Sequence, residues 1–366
     1  MRLLYLTDRL SDRGGADQHL AQVVSASVQA GHRVTIAFGR DEGGSAVPGS
    51  VELHRVRGLS ARVESRGRLK GLGGLLGEAE VVHIQNIMNP VALSMAVATE
   101  RAVVTVQDHR VFCPGEGKTL PDGSACVAAM SDAVCGSCLP DEHYRRSTQR
   151  LTRQRLDALR GAEAVVLSEY MAEQLAAVGV AGAKIVSPWI EVGPERSSPG
   201  MSFVLGGRLV KHKGIMDGWR AWYEADCPLP LVVAGSGPLE GGLIGAQHRG
   251  WLDPEGLRAE LRRARALVFP ARWQEPFGIL GLEALAQGTP VVVAESGGTS
   301  EWSASGCIRV PAGDVSAMSV AIRRLAADPL YALELGRRGQ RTVGDVFARE
   351  CIAPKLAEIY ARVCSS

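Results

Sequence analysis

Short runs of consecutive apolar residues recur along the chain, and stretches with helical spacing of apolar residues separate them. Apolar runs without polar alternation are typical of parallel strands buried on both faces. The pattern predicts two series of strands. The first series is Leu3–Thr7, Val34–Phe38, Val51–Val56, Val81–Gln85, Val103–Gln107 and Ala164–Ser168, and the second is Phe203–Gly206, Leu231–Ala234, Ala266–Phe269, Val291–Ala294 and Ile308–Val310.

The alternation of strands and helices predicts an α/β fold with doubly wound parallel sheets. Two series of strands predict two domains, separated by a stretch rich in Pro, Gly and Ser near residues 191–200. We expect an N-terminal domain over residues 1–190, a C-terminal domain over residues 200–347 and a terminal segment over residues 348–366. The last segment is predicted to be helical from about Pro354 to Val363.

Composition narrows the class of protein. The chain has 366 residues, 46% of them hydrophobic, which is enough for two cores. A net charge of +2 and only 5% aromatic residues disfavour a nucleic-acid-binding protein. Asp8 interrupts the short apolar run at the N-terminus, and no run reaches the roughly 18 residues of a membrane span. We therefore expect a cytoplasmic protein whose eight cysteines are reduced.

Charged residues cluster at two predicted strand-to-helix turns of the second domain. Glu275 and Glu283 flank the start of a predicted helix, and Arg208 and Lys213 lie between glycines in the segment 207–214. Carboxylates accept hydrogen bonds from hydroxyl groups, and cations neutralise phosphates. The set therefore predicts a ligand that is part diphosphate and part polyol, such as a nucleotide sugar. Taken singly, Glu275 is also compatible with an ordinary loop position, and Glu283 with a solvated position on a helix.

A glycine turn follows the first predicted strand. Gly14 and Gly15 precede a predicted helix of about fifteen residues, with Gly31 as its C-cap. Paired glycines let the backbone approach a bound group closely, although a simple tight turn would use them as well. The spacing is not G-x-G-x-x-G, so a dinucleotide site of the NAD type is disfavoured.

Together these residues resemble the motifs of the retaining glycosyltransferases of family 4, over nearly the whole chain. That family has the GT-B architecture, in which two Rossmann-like, doubly wound parallel-sheet domains face a central cleft. The resemblance implies that the terminal helix crosses back to the N-terminal domain. The similar segments are Gly14-Gly15, 82–86, 168–171, the clamp 207–214, the Ala234–Pro238 turn and the Glu275/Glu283 pair.

The resemblance implies a role for each matching residue. Arg208 and Lys213 would bind the donor diphosphate, Glu275 would contact the transferred sugar, and Glu283 would hold the ribose hydroxyls. Trp251 and Leu252 would lie beside the base. The remaining implied donor contacts are Gly14, Gly15, Gly207, Gly235, Phe277, Gly278, Ile279 and Leu280.

The implied activity is transfer of a hexosyl unit from a nucleotide sugar, most simply a UDP-sugar, to an acceptor hydroxyl. The anomeric configuration would be retained, and no cofactor would be needed for catalysis, since the sequence has no Asp-x-Asp motif to hold a metal. The acceptor could be a small molecule, a lipid-linked carrier or a glycan. A sugar-nucleotide epimerase of GT-B type and a catalytically degenerate sugar-nucleotide-binding protein are the alternatives.

The N-terminal domain departs from the family pattern at one site. Many family members have a Thr-x-His-Asp segment whose His lies near the transferred sugar, but here Gln107 takes the place of that His. Asp108 and His109 follow directly. Two interpretations stay open: Gln107 supplies the catalytic contact, or His109 is repositioned to supply it.

Four cysteines lie together in an insertion over residues 113–138, and a similar insertion occurs in some family members. Cys135 and Cys138 have the spacing of a metal knuckle, and Cys113 and Cys126 could complete a tetrahedral site. A structural zinc ion, unbound thiols or a disulfide, and an iron–sulfur cluster all remain open.

A basic stretch precedes the fourth predicted strand and contains six cations. One interpretation is peripheral contact with anionic lipid or a charged acceptor, and the other is an ordinary solvated surface. The cations are Arg55, Arg57, Arg62, Arg66, Arg68 and Lys70.

Overall fold

A computed structural model describes residues 1–43 and 46–365 of the chain. These residues form two compact units. Unit 1 comprises residues 1–118, 126–187 and 352–365, and unit 2 comprises residues 119–125 and 188–351.

Unit 1 is built on a seven-stranded, wholly parallel sheet in the order β3-β2-β1-β4-β5-β6-β7. The central strands are buried along their whole length, as their continuous apolar sequences predict. The strands are β1 (Arg2–Leu10), β2 (Arg33–Asp41), β3 (Glu52–Arg55), β4 (Val81–Gln85), β5 (Ala102–Val106), β6 (Glu163–Val166) and β7 (Lys184–Ile185).

Helices connect these strands and cover the sheet. Several begin at a polar residue whose side chain accepts a hydrogen bond from the first turn, as Asn89, Asp141 and Ser168 do. The helices are α1 (Gly15–Gln29), α2 (Leu72–Glu78), α3 (Pro90–Val97), α4 (Asp132–Cys135), α5 (Glu142–Leu159) and α6 (Glu169–Ala176), and 3-10 turns span Arg57–Ser60, Arg66–Arg68 and His109–Val111.

Unit 2 has a six-stranded parallel sheet in the order β10-β9-β8-β11-β12-β13. Its strands are β8 (Ser202–Gly206), β9 (Leu231–Ala234), β10 (Gln247–Gly250), β11 (Ala264–Phe269), β12 (Val291–Glu295) and β13 (Cys307–Pro311). Its helices are α7 (Ile215–Glu224), α8 (Pro254–Arg263), α9 (Ile279–Ala286), α10 (Val315–Ala327) and α11 (Pro329–Val346), with 3-10 turns at Lys211–Lys213, Glu240–Gly242 and Gly297–Glu301.

The strand order of unit 2 reverses between β8 and β11. The chain first builds outwards through β9 and β10, then returns to the other side of β8. Loops at the carboxyl ends of these two neighbouring strands therefore diverge, and such a switch point is where open α/β sheets bind ligands. The two parallel sheets confirm the prediction of two doubly wound domains.

The limits of the compact units differ from the predicted domain limits at three places. Unit 1 ends at residue 187 and resumes at residue 352, because Ile190 already donates its N–H to the carbonyl of Phe347 in unit 2 (3.0 Å). Residues 119–125 form a turn that belongs to unit 2, where the Thr119 hydroxyl accepts the N–H of Gln274 (3.1 Å).

The last helix, α12 (Arg349–Ser365), lies in unit 1 from Ile352 onwards. Its Tyr360 is buried against the first and fourth strands. The Tyr360 hydroxyl lies 2.9 Å from the hydroxyl of Tyr5 and 2.5 Å from Nδ1 of His83. Tyr5 also bonds Ser27, and Nε2 of His83 lies 2.7 Å from the hydroxyl of Thr105. A buried polar network therefore fixes the terminal helix on the sheet of unit 1.

Burial lowers the pKa of His83 to about 3, so this histidine is neutral inside the network. Among the described helices, none combines the length and the apolar character needed to cross a bilayer.

We expect Tyr360→Phe to lower the free energy of unfolding of unit 1 by about 1–3 kcal/mol, because it leaves buried partners without their hydrogen bond. Urea unfolding monitored by circular dichroism would measure the loss. Tyr144→Phe, at an exposed site on α5, is the matched control. Equal unfolding midpoints for the two variants would contradict the role assigned to the network.

Candidate functional site

Two loops meet at the switch point of unit 2. The loop after β8 contains residues 207–214, and the loop after β11 contains residues 270–278. The carbonyl of His212 accepts the N–H groups of Arg272 (3.1 Å) and Trp273 (3.0 Å). Gly214 has φ 67°, and a Cβ there would lie 1.8 Å from the carbonyl oxygen of Pro270. The two loops are thus in direct backbone contact.

An ion pair joins the same two loops. The Lys213 Nζ lies 2.5 Å from Oε1 of Glu275, whose side chain is only 4% exposed. The ammonium group also lies over the ring of Trp273, 4.5 Å from its centroid, which is a cation–π contact. Two residues predicted from sequence to bind different parts of one ligand are therefore adjacent.

The backbone of Glu275 is held by the loop after β12. Its carbonyl accepts the N–H of Gly298 (2.6 Å). Gly297 has φ 51°, and a Cβ there would lie 2.3 Å from the same carbonyl oxygen. The side chain of Gln274 accepts the N–H of Gly297 (3.2 Å). The carboxylate of Glu275 is therefore presented from a backbone position that is fixed on both sides.

Helix α9 begins directly beyond this loop. Gly278 is its N-cap with φ 87°, and the carbonyl of Phe277 accepts the indole N–H of Trp302 (2.7 Å). Ile279 and Leu280 form the first turn and are partly exposed. The first N–H groups of a helix have no partner within the helix, so this terminus can bind an anion.

The glycine turn after β9 packs on the loop after β8. A Cβ on Gly235 would lie 1.9 Å from the carbonyl oxygen of Gly207. The N–H of Leu209 donates to the carbonyl of Ser236 (3.0 Å). The close contact explains the glycine at 235, and a φ of 104° favours glycine at 207. The side chain of Arg208 is exposed at the edge of the loop.

Glu283 lies one turn further along α9 and is partly buried. Burial raises its pKa to about 7, and the charge of Arg258 on α8 opposes this shift. Trp251 and Leu252 follow β10, directly before the N-cap of α8, and both are partly exposed. Arg258 was not predicted, because only the fold brings α8 beside α9.

In unit 1, the glycine turn leads into α1. Gly14 is the N-cap of the helix with φ 135°, a conformation that favours glycine, and Gly15 is the first helical residue. Asp17 in the first turn pairs with Arg9, with Nη2 and Oδ2 2.8 Å apart. Burial raises the pKa of Asp17 to about 6, and Arg9 opposes this shift.

Gln107 is buried at the carboxyl end of β5, inside a cluster of polar side chains. Its amide nitrogen lies 2.9 Å from Nδ1 of His19 and donates to Oε1 of Gln85 (3.1 Å). Its amide oxygen accepts from Asn86 (2.8 Å). The cluster engages both ends of the amide, so the geometry favours a positioning role for Gln107.

His19 belongs to this cluster and was missed in the sequence. Its Nδ1 accepts from Gln107, which assigns the remaining ring proton to Nε2. Burial lowers the pKa of His19 to about 4, so the ring is neutral. Its place on α1, four residues after Gly15, is a signal that sequence reasoning could have used.

The side chains of Asp108 and His109 contact different residues. Asp108 caps the following 3-10 turn by accepting the N–H of Arg110 (2.9 Å), and it pairs with the guanidinium of the same residue (2.7 Å). His109 is buried, and its Nε2 lies 3.0 Å from the hydroxyl of Tyr170. Its ring also packs edge-on against Phe112. These contacts favour a packing role for His109.

The four clustered cysteines and the basic stretch lie in unit 1. Cys113, Cys126, Cys135 and Cys138 are free of disulfides. Within residues 1–43 and 46–365, no three His, Cys, Asp or Glu side chains form a group ready to hold a metal ion. The six predicted cations from Arg55 to Lys70 are all exposed, and lipid contact there stays a prediction.

Comparison with known proteins finds a family match for most of unit 2. Residues 201–328 match the family described as Glycosyl transferases group 1. A glycogen synthase of Mycobacterium tuberculosis (strain H37Rv) is 33% identical over 169 residues, which cover 42% of this chain and 41% of the relative. An alpha-maltose-1-phosphate synthase of the same strain is 29% identical over 48% of this chain and 51% of the relative.

These alignments span about half of the length of the relatives. The whole chain is similar in structure to Anabaena Alr3699/HepE in complex with UDP and glucose, with a TM-score of 0.71 and 16% identity. That likeness covers 99% of this chain and 100% of the other, and it shows the fold. The predicted GT-B fold is therefore confirmed, and the resemblance to glycosyltransferases is confirmed for residues 201–328.

Gly214→Ala should destabilise unit 2 by about 1–3 kcal/mol, because its Cβ would overlap the carbonyl oxygen of Pro270 and its backbone is left-handed. The change also separates the two loops that carry Lys213 and Glu275. Chemical unfolding would measure the effect, with Gly241→Ala as the control, since a Cβ there meets nothing within 4 Å. Two equally stable variants would contradict the proposed loop contact.

Glu283 predicts a pH dependence of stability. Its pKa in the folded state, about 7, exceeds the ordinary value of 4.5, so the folded state retains a proton that the unfolded state loses first. This contribution to stability is complete below pH 4.5 and is lost as the pH rises through about 7. We expect Glu283→Gln to gain stability relative to the wild type across that window.

Melting temperatures of the wild type and Glu283→Gln, taken at several pH values, would test this expectation. Glu334→Gln, at an exposed position on α11, controls for the loss of a surface carboxylate. Parallel curves for wild type and Glu283→Gln would show that the buried carboxylate does not titrate as described.

Proposed function

We propose that this chain, whose residues 201–328 are a group 1 glycosyl transferase domain, moves a hexosyl unit from a nucleotide sugar to an acceptor hydroxyl. One observation carries the proposal. The pair formed by Lys213 and Glu275 lies at the switch point between β8 and β11, with the N-terminus of α9 beside it. A cation, a helix terminus and a carboxylate in this order suit a diphosphate followed by a sugar.

Each part of the donor has a matching group in unit 2. The diphosphate would lie on Arg208, Lys213 and the first turn of α9. The hydroxyls of the transferred sugar would bond Glu275, and those of the ribose would bond Glu283. The base would lie beside Trp251, at the carboxyl end of the edge strand β10. The ordering follows the sheet, from the switch point outwards.

The chemistry follows from where charge develops. The bond between the anomeric carbon and the diphosphate oxygen breaks, and negative charge grows on the departing phosphate. Fixed cations and helix N–H groups stabilise the transition state, in which this charge develops, more than they stabilise the ground state. The difference lowers the barrier. The acceptor hydroxyl would attack from the same face, and the leaving phosphate would take its proton. This course retains the anomeric configuration and uses no protein nucleophile.

Lys213 would exchange partners during the reaction cycle. In the free protein its ammonium group is paired with Glu275 at 2.5 Å. A bound diphosphate offers that ammonium group a stronger anion, and Glu275 then becomes free to accept from sugar hydroxyls. The pair therefore keeps a buried carboxylate compensated until the ligand arrives.

A uridine donor is the first candidate. The structurally similar Anabaena protein is described in complexes with UDP and with UDP-glucose, and the S. aureus TarM variant in a complex that contains UDP. Unit 1 would bind the acceptor, with Gln107 and its polar neighbours at the carboxyl end of its sheet. A small molecule, a lipid-linked carrier and a glycan would each supply the hydroxyl that the reaction needs.

We expect UDP to raise the melting temperature of the wild type in the absence of divalent metal, and Arg208→Ala to abolish most of that shift. Loss of a charge-stabilising contact should also lower kcat/KM by about 100-fold or more, which corresponds to about 3 kcal/mol. A thermal-shift panel of UDP, GDP, ADP and dTDP, followed by turnover assays with the matching sugars, would measure both effects.

Arg220→Ala is the matched control, because Arg220 is an exposed cation on α7 of the same unit. The absence of a shift with every nucleotide would remove the donor-site assignment. Nucleotide binding with full biological activity in Glu275→Ala would instead favour a sugar-nucleotide-binding protein without catalysis. Conversion of the donor sugar without any acceptor would favour an epimerase.

A further inference from the structure

The segment that carries four of the cysteines has almost no apolar core of its own. From residue 114 to residue 138, every residue is described, and Cys135 is the one apolar side chain that is buried. Regular structure is limited to α4 and a single bridge between Thr119 and Ala125. A chain that buries so little apolar surface needs another source of order to offset its conformational entropy.

Polar contacts supply part of that order. The Lys118 ammonium group donates to the carbonyl of Ala128 (2.6 Å), and Arg145 on α5 pairs with Asp132 (2.8 Å). Gln149 donates to the carbonyl of Ser131 (3.0 Å). Four side chains make these contacts, and three of the four are charged.

Cys113 lies in a turn whose backbone faces its sulfur. Its Sγ accepts the N–H of Lys118 (3.4 Å) and also the N–H of Gly115. Backbone N–H groups aimed at a sulfur favour its thiolate form, the form in which cysteine binds metal ions.

Cys138 approaches the same turn from the other end of the segment. A Cβ on Gly115 would lie 3.2 Å from Cβ and 3.7 Å from Sγ of Cys138, and 4.0 Å from Sγ of Cys113. The two sulfurs therefore border one glycine, although 24 residues lie between Cys113 and Cys138 in the sequence. A larger residue at Gly115 would crowd the space between them.

Two residues lie between Cys135 and Cys138 in the sequence. Cys135 is the last residue of α4, and Cys138 lies in the turn that follows. The N–H of Leu139 donates to the carbonyl of Cys135 (2.9 Å), which closes this turn. The N–H of Cys126 donates to the carbonyl of Lys118 (2.7 Å), and the N–H of Lys118 donates to Sγ of Cys113 (3.4 Å). Backbone contacts therefore link Cys126 to the turn that Cys113 and Cys138 border.

We propose that Cys113, Cys126, Cys135 and Cys138 together bind one zinc ion as a closed tetrathiolate site with a structural role. The site assembles on binding: the Cys126 thiol, which donates to the carbonyl of Ala128 at 3.9 Å, turns towards the other three sulfurs. Four thiols release their protons to solvent, and four sulfur–zinc bonds form. Four thiolates leave no open position, so the ion takes no part in the transfer reaction.

The first test is the metal content of the full chain, purified with neither chelator nor added metal. Mass spectrometry of the elements should find one zinc per chain. Cys113→Ser should reduce that content about ten-fold or more, because a tetrahedral site then lacks one of its thiolates. Cys364→Ser, at an exposed cysteine on α12, is the matched control and should keep the full content.

Cobalt provides a second measurement that does not depend on a variant. The wild type, stripped of metal under reducing conditions and titrated with Co²⁺ alone, should develop intense thiolate-to-cobalt absorption together with tetrahedral ligand-field bands. Zinc should then displace the cobalt. Both readouts are independent of sugar transfer, so their failure would leave the proposed enzyme activity untouched.

Three results would overturn the proposal. A zinc content far below one per chain, with all four thiols open to alkylation, means that the segment is held by its polar contacts alone. A mass lower by two hydrogens for each cysteine pair means disulfides. Iron with equimolar inorganic sulfide means a cluster in place of zinc.

Discussion

The ion pair between Lys213 and Glu275 is the interaction on which the candidate site in unit 2 depends. Glu275 is buried, and a buried carboxylate without a cation is unstable by several kcal/mol. The loops around it have little freedom to move apart, because glycines at 214 and 297 occupy space that no larger residue could share with the neighbouring carbonyls. The glycine-dependent loops, the compensated charge and the N-terminus of α9 form one arrangement. An anion that binds there would meet a preformed site in place of a flexible loop.

Both units are built on a parallel sheet, but they carry different side chains at the carboxyl ends of their strands. In unit 2 the strand ends carry charges of both signs, which suits an ionic ligand. In unit 1 the ends of β4 and β5 carry the amides of Gln85, Asn86 and Gln107, which bond one another and the neutral imidazole of His19 on α1. The ion pair of Asp108 and Arg110 follows directly. Gln107 stands where the resemblance implies a histidine, and its amide does not titrate and bonds different partners at its two ends. The cost is that the amide has little capacity left for a direct contact with substrate.

Much of the fold could be predicted from the sequence, because parallel strands buried on both faces leave continuous apolar runs. The runs from Leu3 and from Val291 each correspond to a strand. The edge strand β10 was missed because its residues are polar and exposed, and β7 because it has only two residues. The pairing of Lys213 with Glu275 joins two residues that were singled out from their order along the chain, and their role in donor binding stays a prediction. The polar cluster around Gln107 could not be predicted, since it joins side chains from three elements that only the sheet brings together.

The return of α12 to unit 1 has a consequence for how the protein is made. The ribosome delivers residues 1–187 long before residues 352–365, with the whole of unit 2 in between. Until the last helix emerges, Tyr5 and His83 lack the hydroxyl of Tyr360 that completes their network. Unit 2 is contiguous apart from residues 119–125, so it can fold on the ribosome while unit 1 is still waiting for its final element. The half that emerges first is therefore the half that is completed last.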